Sequence, residues 1–175
     1  RIYNRDLNAT EISNLAKFDP YKGLLAYYPF SGSPDDLSGN GRTTTVHSNP
    51  VKANDRNANN NSAYNFDGTD DYMNMGQVLF PNNAFTVSVW AQPTNPSQWK
   101  HIIEIGTVAN GYRGALRLQL GEQGRTYFAL SDGTDAATNG PAGKITNWTN
   151  DVWTHFLISY DGKQAILYQN GVAVD

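Results

Sequence analysis

Apolar and polar residues alternate along much of this chain. In AFTVSVWAQP, Phe85, Val87 and Val89 fall on one side of an extended backbone and Thr86, Ser88 and Trp90 on the other. That period of two predicts a strand with one buried face, ended by Pro93. Leu116, Leu118 and Leu120 alternate with Ala115, Arg117 and Gln119, and Thr126, Phe128 and Leu130 with Tyr127 and Ala129, which predicts a half-buried hairpin. The run WTHFLISYDGKQAILYQNGV is apolar on both faces, with Asp161-Gly162 at its middle and Asn170-Gly171 at its end. It predicts the central hairpin of the core.

Turn dipeptides that tolerate positive φ separate these runs: Asp-Gly at 67, 132 and 161, and Asn-Gly at 40, 110, 139 and 170. The one helical signal comes early, where Asn8 caps a turn whose third position is Glu11, with Ile12 and Leu15 facing a neighbour and Gly23 beyond its end. Residues 43–62, centred on VKANDRNANNNS, break the alternation and predict a long surface loop. Many short strands without βα alternation point to an all-β sandwich or barrel.

Composition narrows the function classes. At 175 residues and 39% apolar content the chain can close one sizeable core, so one domain with extras is expected. Thirteen Lys and Arg against 16 Asp and Glu are scattered, with net charge −3, and form no basic stripe for nucleic acid. The absence of cysteine removes disulfides and thiolate chemistry. No apolar run approaches the roughly 20 residues of a membrane helix, and RIYNRDLNATEI lacks the apolar core of a signal peptide. A soluble piece of a longer protein is expected, with no membrane insertion.

Several segments occur in an order that resembles a known family. GLLAYYPFSGSPDDLSGNG, YNFDGTDDYMNMG, FTVSVWAQP and WTHFLISYDGKQAILYQNGV are together similar to the laminin-G-like domain of the concanavalin A-like lectin/glucanase superfamily. The resemblance runs from about Gly23 to the end. It implies an antiparallel two-sheet jelly-roll sandwich over residues 20–175, which the short N-terminal helix would precede. Residues 1–19 resemble the tail motif that closes such modules, from either a preceding or a permuted copy, and by the resemblance the module 20–175 is expected to lack its last strands. An open sheet edge would then await a strand-pairing partner. The resemblance also implies a secreted or cell-surface setting, glycan or protein ligands, and structural calcium at Asp36 and Asn40, with Asp67 as a third ligand.

Each candidate chemistry has a plainer alternative. Retaining glycosidases need two carboxylates about 5–5.5 Å apart. Of the three glutamates, Glu104 is in the strand-like HIIEIGT but is followed at the same-face positions by Gly106 and Val108, while Glu122 and Glu11 lie in a turn and a helix. A non-catalytic protein is therefore expected. His47, His101 and His155 lack metal-ligand spacing, and no G-x-S-x-G elbow or H-E-x-x-H pair occurs. The turn PDDLSGNG offers Asp35, Asp36 and Asn40 as hard oxygen donors suited to calcium, or as the formers of Asx turns. Trp90 and Trp153 lie in core-like strands and read as packing residues. Trp99 and Trp148, in the polar contexts QWKH and NWTN, join Tyr112 and Arg113 of ANGYRG as candidates for a recognition rim, or pack loops onto the sandwich edge. The sequence thus reads as an extracellular binding or adhesion module, or alternatively as a spacer repeat that holds other domains away from a surface.

Overall fold

The computed structural model describes residues 8–10, 23–76, 84–94, 99–105, 116–121, 124–130, 142–146 and 148–174. The chain divides into two compact units, Arg1–Phe66 with Asp70–Gln77, and Asp67–Thr69 with Val78–Asp175. Every strand pairing among the described residues is antiparallel. Ala9 and Thr10 are helical, and the rest of the helix expected near Asn8 lies outside the described residues.

The first unit contains β1 (Thr45–His47), β2 (Val51–Ala53), β3 (Ala63–Asn65) and β4 (Tyr72–Asn74), paired as β1 with β4 and β2 with β3. Residues 43–62 are therefore no plain loop, as their composition suggested. Asp55 organises the Asn-rich turn between β2 and β3: its Oδ1 accepts the backbone N–H groups of Asn57 at 2.8 Å and Asn59 at 2.9 Å, and its Oδ2 accepts the Asn59 amide at 3.0 Å. Ala58 and Asn61 take positive φ within that turn. A short polar side chain here replaces the backbone partners that an irregular loop would leave to water, and the polar run becomes a hairpin.

The second unit is a two-sheet sandwich. Its strands are β5 (Phe85–Ala91), β6 (Lys100–Ile105), β7 (Leu116–Gly121), β8 (Arg125–Leu130), β9 (Ala142–Thr146), β10 (Thr154–Tyr160), β11 (Ala165–Gln169) and β12 (Val172–Ala173). One sheet runs β12-β11-β10-β5 and the other β6-β7-β8-β9. Leu116, Leu118, Leu120 and Phe128 from the second sheet share one core with Phe156, Ile158, Ala165 and Leu167 from the first. Inward and outward positions alternate on both sheets, as packing two pleated faces against each other requires. The long hairpin expected from WTHFLISYDGKQAILYQNGV is present: Asp161 Oδ1 accepts Lys163 N and Gln164 N at its turn, and β10 lies between β11 and β5. Asn170 (φ 50°) and Gly171 (φ 82°) then make the tight turn into β12, where two successive positive φ angles suit Asn-Gly.

Two expectations need correction. The hairpin β7–β8 is not simply half-buried, because β7 is buried at every position and its outward Arg117 and Gln119 are only 9% and 7% exposed. Trp90 is not a core residue. It shares the outward side of β5 with Thr86 and Ser88 and is 42% exposed, while Phe85, Val87 and Val89 pack on the core. Its alternation phase placed it there, and the aromatic residue type pulled the reading toward the core.

The outward row opposite that core holds no Asp, Glu, Lys or Arg. Register sets Trp90 beside His155, Ser88 beside Leu157 and Tyr168, and Thr86 beside Ser159 and Ile166, with Ala173 beyond Tyr168.

Because Phe156 and Leu167 lie at the centre of the shared core, Phe156→Ala should lower the unfolding free energy by about 3–5 kcal/mol in urea titrations. Exposed Val172→Ala should stay within about 0.5 kcal/mol of the parent. Equal effects from the two would contradict the assigned core.

Candidate functional site

The turn PDDLSGNG is fixed by its own acid and amide. Asp36 Oδ1 accepts Tyr27 N at 2.9 Å and Ser38 N at 2.8 Å, Oδ2 accepts the Ser38 hydroxyl at 2.8 Å, and the Arg42 Nε stands 3.9 Å away. The Asp36 side chain is fully withdrawn from solvent. Burial pushes its pKa up, but the hydrogen bonds from Tyr27 and Ser38 and the Arg42 guanidinium outweigh it, so the carboxyl titrates below the usual aspartate value. Asn40 donates its amide to Leu24 O, Leu25 O and the Ser38 hydroxyl, each at 3.0 Å. Both side chains thus stitch the turn to residues 24–27. At Asp36 this is an Asx turn, its Oδ1 accepting the N–H two residues on, whereas Asn40 acts as a donor to the facing backbone.

Acid groups do gather one turn further along the chain. Among the described residues, Asp67, Asp70 and Asp71 each bring a carboxylate oxygen within 4.8 Å of the others, and this group could hold a metal ion. Asp67 Oδ1 accepts Thr69 N at 2.7 Å, Asp70 Oδ2 accepts the Ser48 hydroxyl at 2.9 Å, and Asp71 Oδ1 accepts Asn49 N at 2.8 Å. Lys100 donates its ammonium to Gly68 O in the same turn. Three hard carboxylates fit the donor chemistry of calcium, which collects six to eight oxygens. The tetrapeptide Asp67-Gly68-Thr69-Asp70 reads in the sequence as either a metal or a turn signature, and Asp71, directly after it, is the member that pattern leaves out.

The outward face of the β6-β7-β8-β9 sheet carries the other candidate. Trp99 precedes β6 and is 45% exposed. A Cβ built on Gly121, at an outward position of β7, would lie 2.8–2.9 Å from three consecutive atoms of the Trp99 six-membered ring. Near-equal distances to adjacent ring atoms place Gly121 against the ring face, since an edge approach would favour one atom over its neighbours. The missing side chain at 121 is therefore what lets the indole lie flat on the sheet. Tyr127 of β8 meets Trp99 edge-on, with ring centroids 6.1 Å apart. Nearby on β6, His101 Nδ1 stands 3.1 Å from Glu104 Oε2, and register sets His101 opposite Gln119 and Glu104 opposite Arg117.

Of the other expected rim residues, Trp148 does not join this group. Trp148 is 6% exposed, belongs to the core cluster and donates its indole N–H to Arg125 O at 3.0 Å, so it packs rather than presenting a face. Its polar flanks, Asn147 and Thr149, hid that role. Tyr112 and Arg113 lie outside the described residues. The sequence missed Gly121 and Tyr127 as partners of Trp99. The signal available was the phase of β7, which turns Gly121 outward where a bulky side chain would otherwise occupy the sheet surface.

Among the described residues no helix is long and apolar enough to cross a membrane. The family model Laminin_G_3, described as concanavalin A-like lectin/glucanases superfamily, matches residues 67–175. No curated protein and no solved structure matches the chain.

The lowered pKa of Asp36 has a pH consequence. A carboxylate whose folded pKa is depressed contributes stability above its unfolded pKa of about 3.9, and that contribution is lost as pH falls through the lower folded value. Asp36→Asn should therefore melt several degrees below the parent at pH 7, and the gap should close as both are taken below about pH 4. A gap independent of pH would show that the ionised carboxylate is not what holds the turn.

Proposed function

From the premise that the chain belongs to the concanavalin A-like lectin/glucanase superfamily, we propose that it is a non-catalytic binding module of a secreted or cell-surface protein, holding glycan chains on Trp99. The observation that carries this reading is the indole laid face-down on Gly121 while 45% of the residue stays exposed. A ring fixed on one face offers the other to the apolar face of a pyranose, at little further ordering cost. Tyr127 limits its rotation from the side, and the His101–Glu104 pair supplies donors and acceptors for sugar hydroxyls.

Binding rather than hydrolysis is supported by the surroundings of Glu104. It pairs with His101 and faces Arg117 across the strand pair, whereas retaining or inverting cleavage needs a second carboxylate across the scissile bond. A bound calcium ion at Asp67, Asp70 and Asp71 completes the proposal, as a clamp on the turn that relieves the repulsion of three close carboxylates.

The test is affinity electrophoresis through gels containing soluble polysaccharides, with and without a calcium chelator, alongside thermal melts. Trp99→Ala should weaken retardation about tenfold or more, about 1.4 kcal/mol, and Gly121→Ala should weaken it by lifting the ring. Chelator should lower the melting temperature of the parent and leave Asp70→Ala unchanged. Retardation unaffected by either ring variant would overturn the platform, and a folded parent that binds no polysaccharide would return the module to a spacer. A parent melt indifferent to chelator would remove the calcium.

A further inference from the structure

We propose that the outward face of the β12-β11-β10-β5 sheet is a second saccharide-binding face, taking an uncharged glycan chain with Trp90 as its platform. This goes beyond the Trp99 reading and uses no residue of it. Three observations carry it.

Trp90 projects from β5 with 42% exposure, and a cross-strand ring lies beside it. Its ring centroid lies 5.0 Å from that of His155 at an interplanar angle of 36°, and His155 is itself pinned, with Nε2 2.8 Å from Ser88 Oγ. The His155 backbone is held as well: His155 N donates to Asn170 Oδ1 at 3.0 Å and Asn170 N donates to His155 O at 2.9 Å. A pinned ring beside the indole narrows its choice of rotamers before any ligand arrives, which reduces the cost of stacking a sugar ring on it.

Charge selects the ligand class. The nine outward register positions of this sheet hold no Asp, Glu, Lys or Arg, in a chain that carries 13 basic and 16 acidic residues. Uronates and sulfated sugars would find no counter-charge there, whereas a neutral chain meets Trp90, Leu157 and Tyr168 for its apolar faces and the Ser88 hydroxyl for its own hydroxyl groups.

Size argues against a protein partner. A stable protein interface engages about 20–30 residues a side, and nine positions on one pleated face fall well short of that. A saccharide of a few units needs no more than this face provides. Since the two sheets share one core, Trp90 and Trp99 stand on opposite sides of the sandwich, and one molecule could join two chains.

Electrophoresis at pH 7.5 through gels containing galactomannan or xyloglucan tests this with the parent, Trp90→Ala, Trp99→Ala and the double variant, each checked by thermal melt. Trp90→Ala should weaken retardation at least about fivefold, about 1 kcal/mol, Trp99→Ala should keep a residual that Trp90 supplies, and the double variant should run free. Trp90→Phe serves to assign the Trp90 indole N–H resonance, which should shift when galactomannan or xyloglucan is added to the parent. Loss confined to Trp90→Ala supports this face and removes the Trp99 platform. Loss confined to Trp99→Ala, with the Trp90 resonance unmoved, overturns this face and leaves the other. Concentration-dependent dimerisation of the parent that Trp90→Ala abolishes would overturn it in favour of self-association.

Discussion

The second unit depends on closing two pleated sheets over a single apolar layer. Leu116, Leu118, Leu120 and Phe128 on one side and Phe156, Ile158 and Leu167 on the other are almost wholly removed from water. Each strand can satisfy that layer only in one phase, because a slip of one residue would send its whole apolar set outward. Everything on the two outer faces is consequently fixed by the core. Gly121 faces outward because Leu120 faces inward, and Trp90 faces outward because Val89 faces inward.

Such a scaffold holds binding groups on rigid elements and leaves selectivity to a few outward positions. On one sheet the omission of a side chain at Gly121 makes a seat for Trp99. On the other, a cross-strand histidine supports Trp90. Neither device needs a deep pocket. The loops play a different part: Asp36, Asn40 and Asp55 spend their polar atoms on the backbone around them, which turns polar sequence into defined turns.

What the sequence disclosed follows from this division. The all-β sandwich and the β10–β11 hairpin were legible because alternation and turn dipeptides report directly on the pleat and its reversals. The Asn-rich segment was misread because composition alone does not reveal that one carboxylate, on Asp55, can organise a hairpin. The tryptophans were the hardest to assign. Context misled for Trp148, whose polar neighbours flank a buried ring, and residue type misled for Trp90, whose phase was already outward. Trp99 stood among the rim candidates by its polar context, yet its seat is 22 positions away in the sequence and follows only from the pairing of β6 with β7.

That seat is the most direct test of the account. In a nuclear magnetic resonance spectrum, the Gly121 Hα protons directed toward the indole face should resonate far upfield of ordinary glycine, through the ring current of Trp99, and return to normal in Trp99→Leu. Unshifted Gly121 protons in the parent would show that the ring does not lie on the strand, and the platform reading would fall with it.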